Sequence, residues 1–451
     1  MRAFHFAWFG FFIAFFIWFS IAPLLPEVKK TLGLTKQELW TSNIIGVAGT
    51  IFMRFLLGPM CDKYGPRIPF AGILMFASIP TAMTGLVKTP TQLYILRLFI
   101  GSAGASFVMC QYWCSRMFAK EVVGTANALA AGWGNLGGGV TQLVMGSLLF
   151  PLFKSVIYDN DAEKAWRTVC VIPAIVAFGT GICIYLFSED SPKGNYGAMK
   201  KAGLMAEVSA AGSFRSGALN FNTWLLFIQY ATCFGVELTM NNAAAIYFKE
   251  EFDQTTESAA AIASLFGWMN LFARGLGGYS SDKLNTRMGM RGRLAVHTFA
   301  LLAEGAMVIV FANSTSLAGS IVILVVFSTF VQMAEGTSYG IVPYVDPPNT
   351  GTISGIIGAG GNTGAVLFGL CFRQLSYIDA FYIMGGCIMA SSICSAFIFI
   401  PGHRSLLTGE DDPSRQAFKS SKVLEVPSPE ADAIEAGEID VDVDDEAERK
   451  A

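Results

Sequence analysis

The chain has 451 residues, of which 53% are hydrophobic and 14% charged, with 37 Phe and a formal net charge of -3. A soluble protein of this length could not hide so much apolar surface without showing polar faces at helical period, so the composition excludes a soluble globular protein and indicates a polytopic, all-α membrane protein. The net charge says little about partners, since much of the acid sits in the last thirty residues; no nucleic-acid partner is expected, and the partner the composition demands is the lipid bilayer.

Apolar runs of spanning length, each bounded by charge, Pro or Gly, fall at about residues 3–25, 40–60, 68–87, 92–115, 122–150, 168–187, 224–248, 259–280, 294–312, 317–340, 353–375 and 378–400. The first has no clear small-residue cleavage site and lasts long enough to span, so it reads as helix 1 and not as a removed signal peptide. These twelve segments divide six and six. The division predicts an N-terminal bundle over 1–187, a polar linker over 188–222 carrying Lys193, Lys200, Lys201 and Arg215, and a C-terminal bundle over 223–400. Basic residues in the linker and in loops 2–3, 4–5 and 8–9 put those loops and both termini in the cytoplasm. Asn313-Ser314-Thr315, a glycosylation sequon or a chance tripeptide, then falls in an outer loop. From 401 to 451 the chain is acidic and poor in aromatics, which predicts a disordered cytoplasmic tail.

Nine cysteines lie nearly all within apolar runs and read as small packing residues. No metal constellation, nucleophile–base pair or nucleotide loop is present, so neither a metal nor another cofactor is expected, and the chain is not read as an enzyme. His5, His297 and His403 sit near predicted helix ends, which argues against a proton relay through histidine.

Two stretches organise the rest. Residues 54–67 (R-F-L-L-G-P-M-C-D-K-Y-G-P-R) and 274–287 (R-G-L-G-G-Y-S-S-D-K-L-N-T-R) match at the leading Arg, the Gly four later, the Asp-Lys pair and the closing Arg. In each copy an apolar run reaches into the leading Arg, and the Asp follows eight residues later, about 12 Å along a helix. Arg54 and Arg274 therefore lie well below the surface that their Asp-Lys pairs mark. Guanidiniums at that depth face a bundle interior or a water-filled path, so one per half describes a central anion site. A second duplicated pair is Gly-rich: A-G-W-G-N-L-G-G-G over 131–139 and G-A-G-G-N-T-G-A over 358–365, each with Gly-Asn-x-Gly. Small residues in membrane helices serve close packing. Packing does not require an Asn at one register of both copies, so Asn135 and Asn362 read as buried hydrogen-bond donors near the two Arg, beside bare backbone against which a small ligand can press.

Gly58, Asp62, Lys63 and Arg67 closely match the loop 2–3 signature of the major facilitator superfamily, and Gly278, Asp282, Lys283 and Arg287 resemble its second copy. Those residues are expected to gate, with Asp and Arg able to pair across the halves on the cytoplasmic side in one conformation. Arginines in helices 2 and 8 with Gly-rich helices 5 and 11, and the stretches 107–118, 234–242 and 334–345, resemble the nitrate/nitrite porter family of that superfamily, in its eukaryotic high-affinity branch. The resemblance runs from Met1 to about Pro401; a longer N-terminal segment typical of the branch is not in this chain.

The resemblance implies that Arg54 and Arg274 clasp nitrate, that Asn135 and Tyr230 add polar contacts, and that Phe107 and Phe234 press on the flat ion. The matching aromatic of helix 1 is either Phe12 or Phe15. Glu237 and Glu335, inside family-like stretches, are candidates for proton coupling, whereas Glu304 is expected to pair with helix backbone or a neighbouring polar group. Arg97 on helix 4 resembles another superfamily signature and is expected to be structural or gating. The implied function is secondary transport of nitrate, and of nitrite, by alternating access with proton symport. Alternatives are a nitrate/nitrite exchanger, a carrier of another small anion such as phosphate or a carboxylate, and a transport-dead sensor or a subunit that needs a small accessory membrane protein.

Overall fold

A computed structural model describes residues 2–118, 123–192, 194–202 and 210–412, without the side chains of Asp62, Val123, Ala210 and Pro348. Lys120, Lys193 and the acidic stretch beyond 412 lie outside these bounds. Among the described residues there is no strand, only an isolated bridge between Ser191 and Gly194.

The first six long helical segments are α1 (Arg2–Leu32), α2 (Lys36–Tyr64), α3 (Arg67–Leu86), α4 (Pro90–Met117), α5 (Thr125–Ile157) and α6 (Ala162–Phe187). The last six are α7 (Phe221–Glu251), α8 (Thr256–Met288), α9 (Met290–Ala312), α10 (Leu317–Tyr344), α11 (Thr350–Gln374) and α12 (Tyr377–Phe397). Eleven are long and apolar enough to cross a membrane by length and composition. The one outside that set is α7, which carries Gln229, Glu237, Asn241 and Asn242, yet every residue from Thr232 to Phe248 is buried. A helix sheathed in protein need not be apolar all round, because its polar groups meet other helices and not lipid.

Helix ends follow from the residues that cap them. All six even-numbered helices begin with a side-chain cap: Thr35, Thr89, Asp161, Thr255, Ser316 and Ser376 each accept a backbone N–H from the third residue on. Thr35 forms a full capping box with Glu38. These six starts share one end of the bundle, opposite the duplicated motifs, where short connections turn the chain back at once. In α1 the run expected over 3–25 breaks after Trp18 and resumes at Ala22, near Pro23 and Pro26. The linker holds two short helices, Tyr196–Lys201 and Ala210–Leu219, the second packed on α11 and α2.

Contacts between the first and last six helices run through α2 against α11 and α5 against α8. Glycine permits the second approach: a Cβ on Gly267 would lie 2.3 Å from the Gly139 Cα. α7 packs on α11 in the same way, at Gly235 against Gly364.

Candidate functional site

α2 and α8 carry the two arginines, both fully buried. The Arg54 guanidinium donates to the Gly104 carbonyl from Nε (3.3 Å) and Nη2 (2.9 Å), and from Nη1 to the Gly358 carbonyl. Its contacts are backbone carbonyls and aromatic faces. Arg274 is held differently: Nη1 donates to Glu335 and lies 4.0 Å from Glu237, while Nη2 donates to the Tyr230 hydroxyl at 3.0 Å.

Aromatic rings wall the space around them. The guanidinium carbon of Arg54 is 5.1 Å from the ring centres of both Phe107 and Phe234, and that of Arg274 is 5.8 Å from Phe107. Phe107, Tyr230 and Phe234 lie nearly parallel, within 25° of one another, and Tyr339 meets Phe107 edge-on at 5.1 Å. Guanidinium planes over ring faces are attracted by the ring quadrupole, which fixes both arginines in place. Of the two helix-1 candidates, Phe15 faces this cluster, 6.5 Å from Phe234. Phe12 does not; its ring stacks with Phe9 and Phe16, and Phe11 takes the expected place beside Phe107 at 5.5 Å. Tyr339 and Phe11 were not singled out by sequence, although Tyr339 lies in the stretch 334–345.

The duplicated Asn residues act on either side of the pair. Asn135 Nδ2 donates to Glu237 (2.9 Å) and to Glu335 (3.4 Å), so this α5 amide bridges two carboxylates of the last six helices. Asn362 Nδ2 donates to the Gly358 carbonyl at 3.3 Å, the same oxygen that Arg54 uses. Asn270, which sequence reasoning missed, donates to the other Glu237 oxygen at 2.8 Å. The glycines around them are filled by protein: an added Cβ on Gly134 would meet Phe11 at 1.9 Å, one on Gly361 would meet Phe234 at 2.3 Å, and one on Gly358 would meet Arg54 at 2.8 Å. The bare backbone expected to receive a ligand thus receives these side chains, because rings and guanidinium need the room that a Cβ would take.

A Major Facilitator Superfamily model matches residues 7–369. The high affinity nitrate transporter 2.5 of Arabidopsis thaliana is 38% identical over 414 residues, which cover 91% of this chain and 82% of that protein. The chain belongs to the Major Facilitator Superfamily, in the high-affinity nitrate transporter branch. Nitrate transporter 2.1 of Chlamydomonas reinhardtii is 36% identical over 422 residues, covering 91% of this chain and 76% of the relative. A bacterial homolog of the human lysosomal transporter Spinster, solved inward-facing and unoccupied, superposes with a TM-score of 0.61 at 16% identity, over 87% of this chain and 94% of that one; that likeness shows the fold alone.

In this transporter the motif loops lie at one end. Gly58 approaches α11, where an added Cβ would be 3.4 Å from the Gly351 carbonyl. Asp282 pairs with Arg293 of its own half at 2.6 Å, and Thr125 of α5 reaches it at 3.4 Å. In this conformation Asp282 thus makes an ion pair within one half and accepts a hydroxyl from the other. Arg67 bonds to the end of α6 and the start of the linker: its backbone N–H donates to Asp190 at 3.0 Å and its guanidinium to the Tyr185 carbonyl at 3.0 Å. Lys63 lies over the Tyr64 ring, Lys283 over Tyr279, and Arg287 is exposed. Asp190 also accepts the Tyr196 N–H at 3.2 Å, and burial pushes its carboxyl above the ordinary range although both N–H groups pull it down. Gly65, at φ +82°, makes room for it: a Cβ there would strike Asp190 at 2.5 Å.

The opposite end is closed by contacts between α1 and α7, Lys29 with Glu250 at 2.9 Å and Lys249 with Glu27 at 3.3 Å, and by Trp40 stacked on Phe372 at 5.2 Å. Glu304, expected to be paired, has neither carboxyl oxygen hydrogen-bonded. His297 is not at a helix end; it is buried in α9, with Nδ1 2.8 Å from the Thr337 hydroxyl. Asn313 is exposed, its amide held by the Ile309 carbonyl and the Tyr382 hydroxyl.

Proposed function

We propose that this transporter carries nitrate, and nitrite with it, across the plasma membrane as a proton symporter. Its halves, 1–187 and 223–400, would rock about the arginine layer while the linker 188–222 and both termini stay in the cytoplasm. The relatives' names, which specify nitrate, support the substrate.

The observation that carries the coupling is the charge balance of the site. Arg54, Arg274, Glu237 and Glu335 sum to zero when all are ionised, and Arg274 is already bonded to Glu335. Nitrate arriving alone would leave one buried negative charge, which a low-dielectric interior strongly disfavours. Nitrate arriving with one proton keeps the site neutral. Glu237 accepts from an amide donor at each oxygen, whereas one Glu335 oxygen has no partner and is free to carry the proton. Protonated Glu335 releases the Arg274 fork, which then joins Arg54 on the anion.

The ion suits these groups. Nitrate is planar, weakly hydrated and a poor acceptor, so two flat guanidiniums between aromatic walls replace its hydration with little loss. Phe107 and Phe234 supply the walls, the Tyr230 hydroxyl and the Asn135 and Asn362 amides orient the ion, and the motif residues Gly58, Asp62, Lys63, Arg67, Asp282, Lys283 and Arg287 control access from the cytoplasm.

The test is nitrate uptake into proteoliposomes containing this chain alone. Stimulation by an acid exterior is expected. Stimulation by internal nitrite in place of a pH gradient would mean exchange, preference for phosphate would mean another substrate, and activity only after adding a small membrane protein would mean an obligate subunit.

A further inference from the structure

A third arginine is buried between the halves, and the charge balance above does not use it. Arg97 on α4 donates from Nη1 to the Ser42 hydroxyl (3.2 Å) and the Asn43 amide oxygen (2.6 Å), both on α2. From Nη2 it donates to the Asn242 amide oxygen on α7 at 2.8 Å. It is 3% exposed and every partner is neutral; among the described residues no carboxylate pairs with it. An interior cation is ordinarily matched by an anion, so a guanidinium held only by amide and hydroxyl oxygens has an electrostatic vacancy that a mobile anion fits.

Two further observations point the same way. The Asn43 Nδ2, on the amide whose oxygen accepts from the guanidinium, is buried and has no hydrogen-bond partner, so a spare N–H donor lies next to the cation. Asn43 and Asn242 also line a cavity of about 10 Å³ with Trp40, Leu238 and Gly369, at the seam where α2, α7 and α11 meet. That is room for about one water and too little for an oxyanion, so the seam must part before anything larger enters. Asn43 precedes Arg54 by eleven residues on α2, about 16 Å along the helix on the side away from the motif loops.

We propose that Arg97 and Asn43 form a second binding station for a small monovalent oxyanion, on the path from the outer surface to the central arginines, latched shut by Asn242. When the halves part at this end the bond to Asn242 breaks, and the freed guanidinium and the Asn43 amide together capture the incoming anion. Gate opening and anion attraction are then one event. This deepens the reading of the protein as an anion carrier and rests on it and on the orientation given there.

Initial rates of nitrate uptake by the full chain, in cells lacking other nitrate uptake, test this as a function of external nitrate. Arg97→Gln is expected to raise KM about tenfold or more while kcat changes less than twofold, since a charge-assisted contact is lost on the approach and not at the central site. Asn242→Ala, which keeps the cation and cuts the latch, is expected to lower KM severalfold, because the binding-competent fraction rises. An unchanged KM in Arg97→Gln, or a loss confined to kcat, would overturn the station. If Arg97→Gln does not reach the membrane, Asn242→Ala decides, and a KM equal to or above the parent's refutes the latch. Failure of the parent chain to take up nitrate counts against the function proposed above; normal parent uptake with insensitive variants counts against the outer station alone.

Discussion

Arg274 donates to Glu335 within the last six helices, whereas its counterpart Arg54, 220 residues earlier, donates only to the backbone carbonyls of Gly104 and Gly358. The duplication thus places two identical cations at matching depths and gives them unlike partners. One is free of carboxylates and suited to meet an anion at any time; the other must first be released. In the proposed mechanism, that asymmetry is what couples a proton to the cargo.

Replacing Glu335 by Gln leaves an amide oxygen to position Arg274 but removes the proposed proton site. Glu335→Gln is expected to lose stimulation of nitrate uptake by a pH gradient, by about tenfold or more, while exchange of labelled for unlabelled nitrate continues. Retained pH stimulation would place the proton elsewhere.

Arg54→Lys and Arg274→Lys each keep the charge and lose the planar fork. Each is expected to reduce nitrate uptake at least about tenfold, because an ammonium is a hydrated point charge that cannot present two parallel donors between Phe107 and Phe234. Near-normal rates in both variants, measured at matched protein levels in the membrane, would discredit the fork.

The Gly134 position is filled by the Phe11 ring, with 1.9 Å between an added Cβ and Phe11 Cδ1. Gly134→Ala is expected to destabilise the fold by roughly 1–3 kcal/mol through overpacking. Pairing it with Phe11→Leu should recover part of the loss in a thermal melt in detergent, and no recovery would mean that the strain lies in the α5 backbone.

Asp190 supplies the pH dependence. Its folded-state carboxyl holds its proton more tightly than the ordinary value of 3.8, so as pH rises through 3.8 toward the higher folded value the unfolded chain ionises first and this group's contribution falls. Asp190→Asn cannot ionise. The melting-temperature difference between variant and parent should therefore shift in the variant's favour as pH is raised through that window and level off above it; a difference independent of pH would remove the titration argument.

The twelve segments and the duplicated motifs were legible in the sequence because hydropathy and repetition are properties of contiguous residues. So was the depth of Arg54 and Arg274, which needs only helical rise and the position of the Asp-Lys pairs. The acidic partner of Arg274, the bridge from Asn135 to Glu237 and Glu335, and the latch from Arg97 to Asn242 join residues from 61 to 200 positions apart. Such contacts depend on how each helix is rotated about its own axis. In α1, apolar almost all round, no polar face reports that rotation, so Phe12 and Phe15 were equal candidates on paper. Only the packing of α1 against α5, α4 and α7 turned Phe15 inward and left Phe12 beside Phe9 and Phe16.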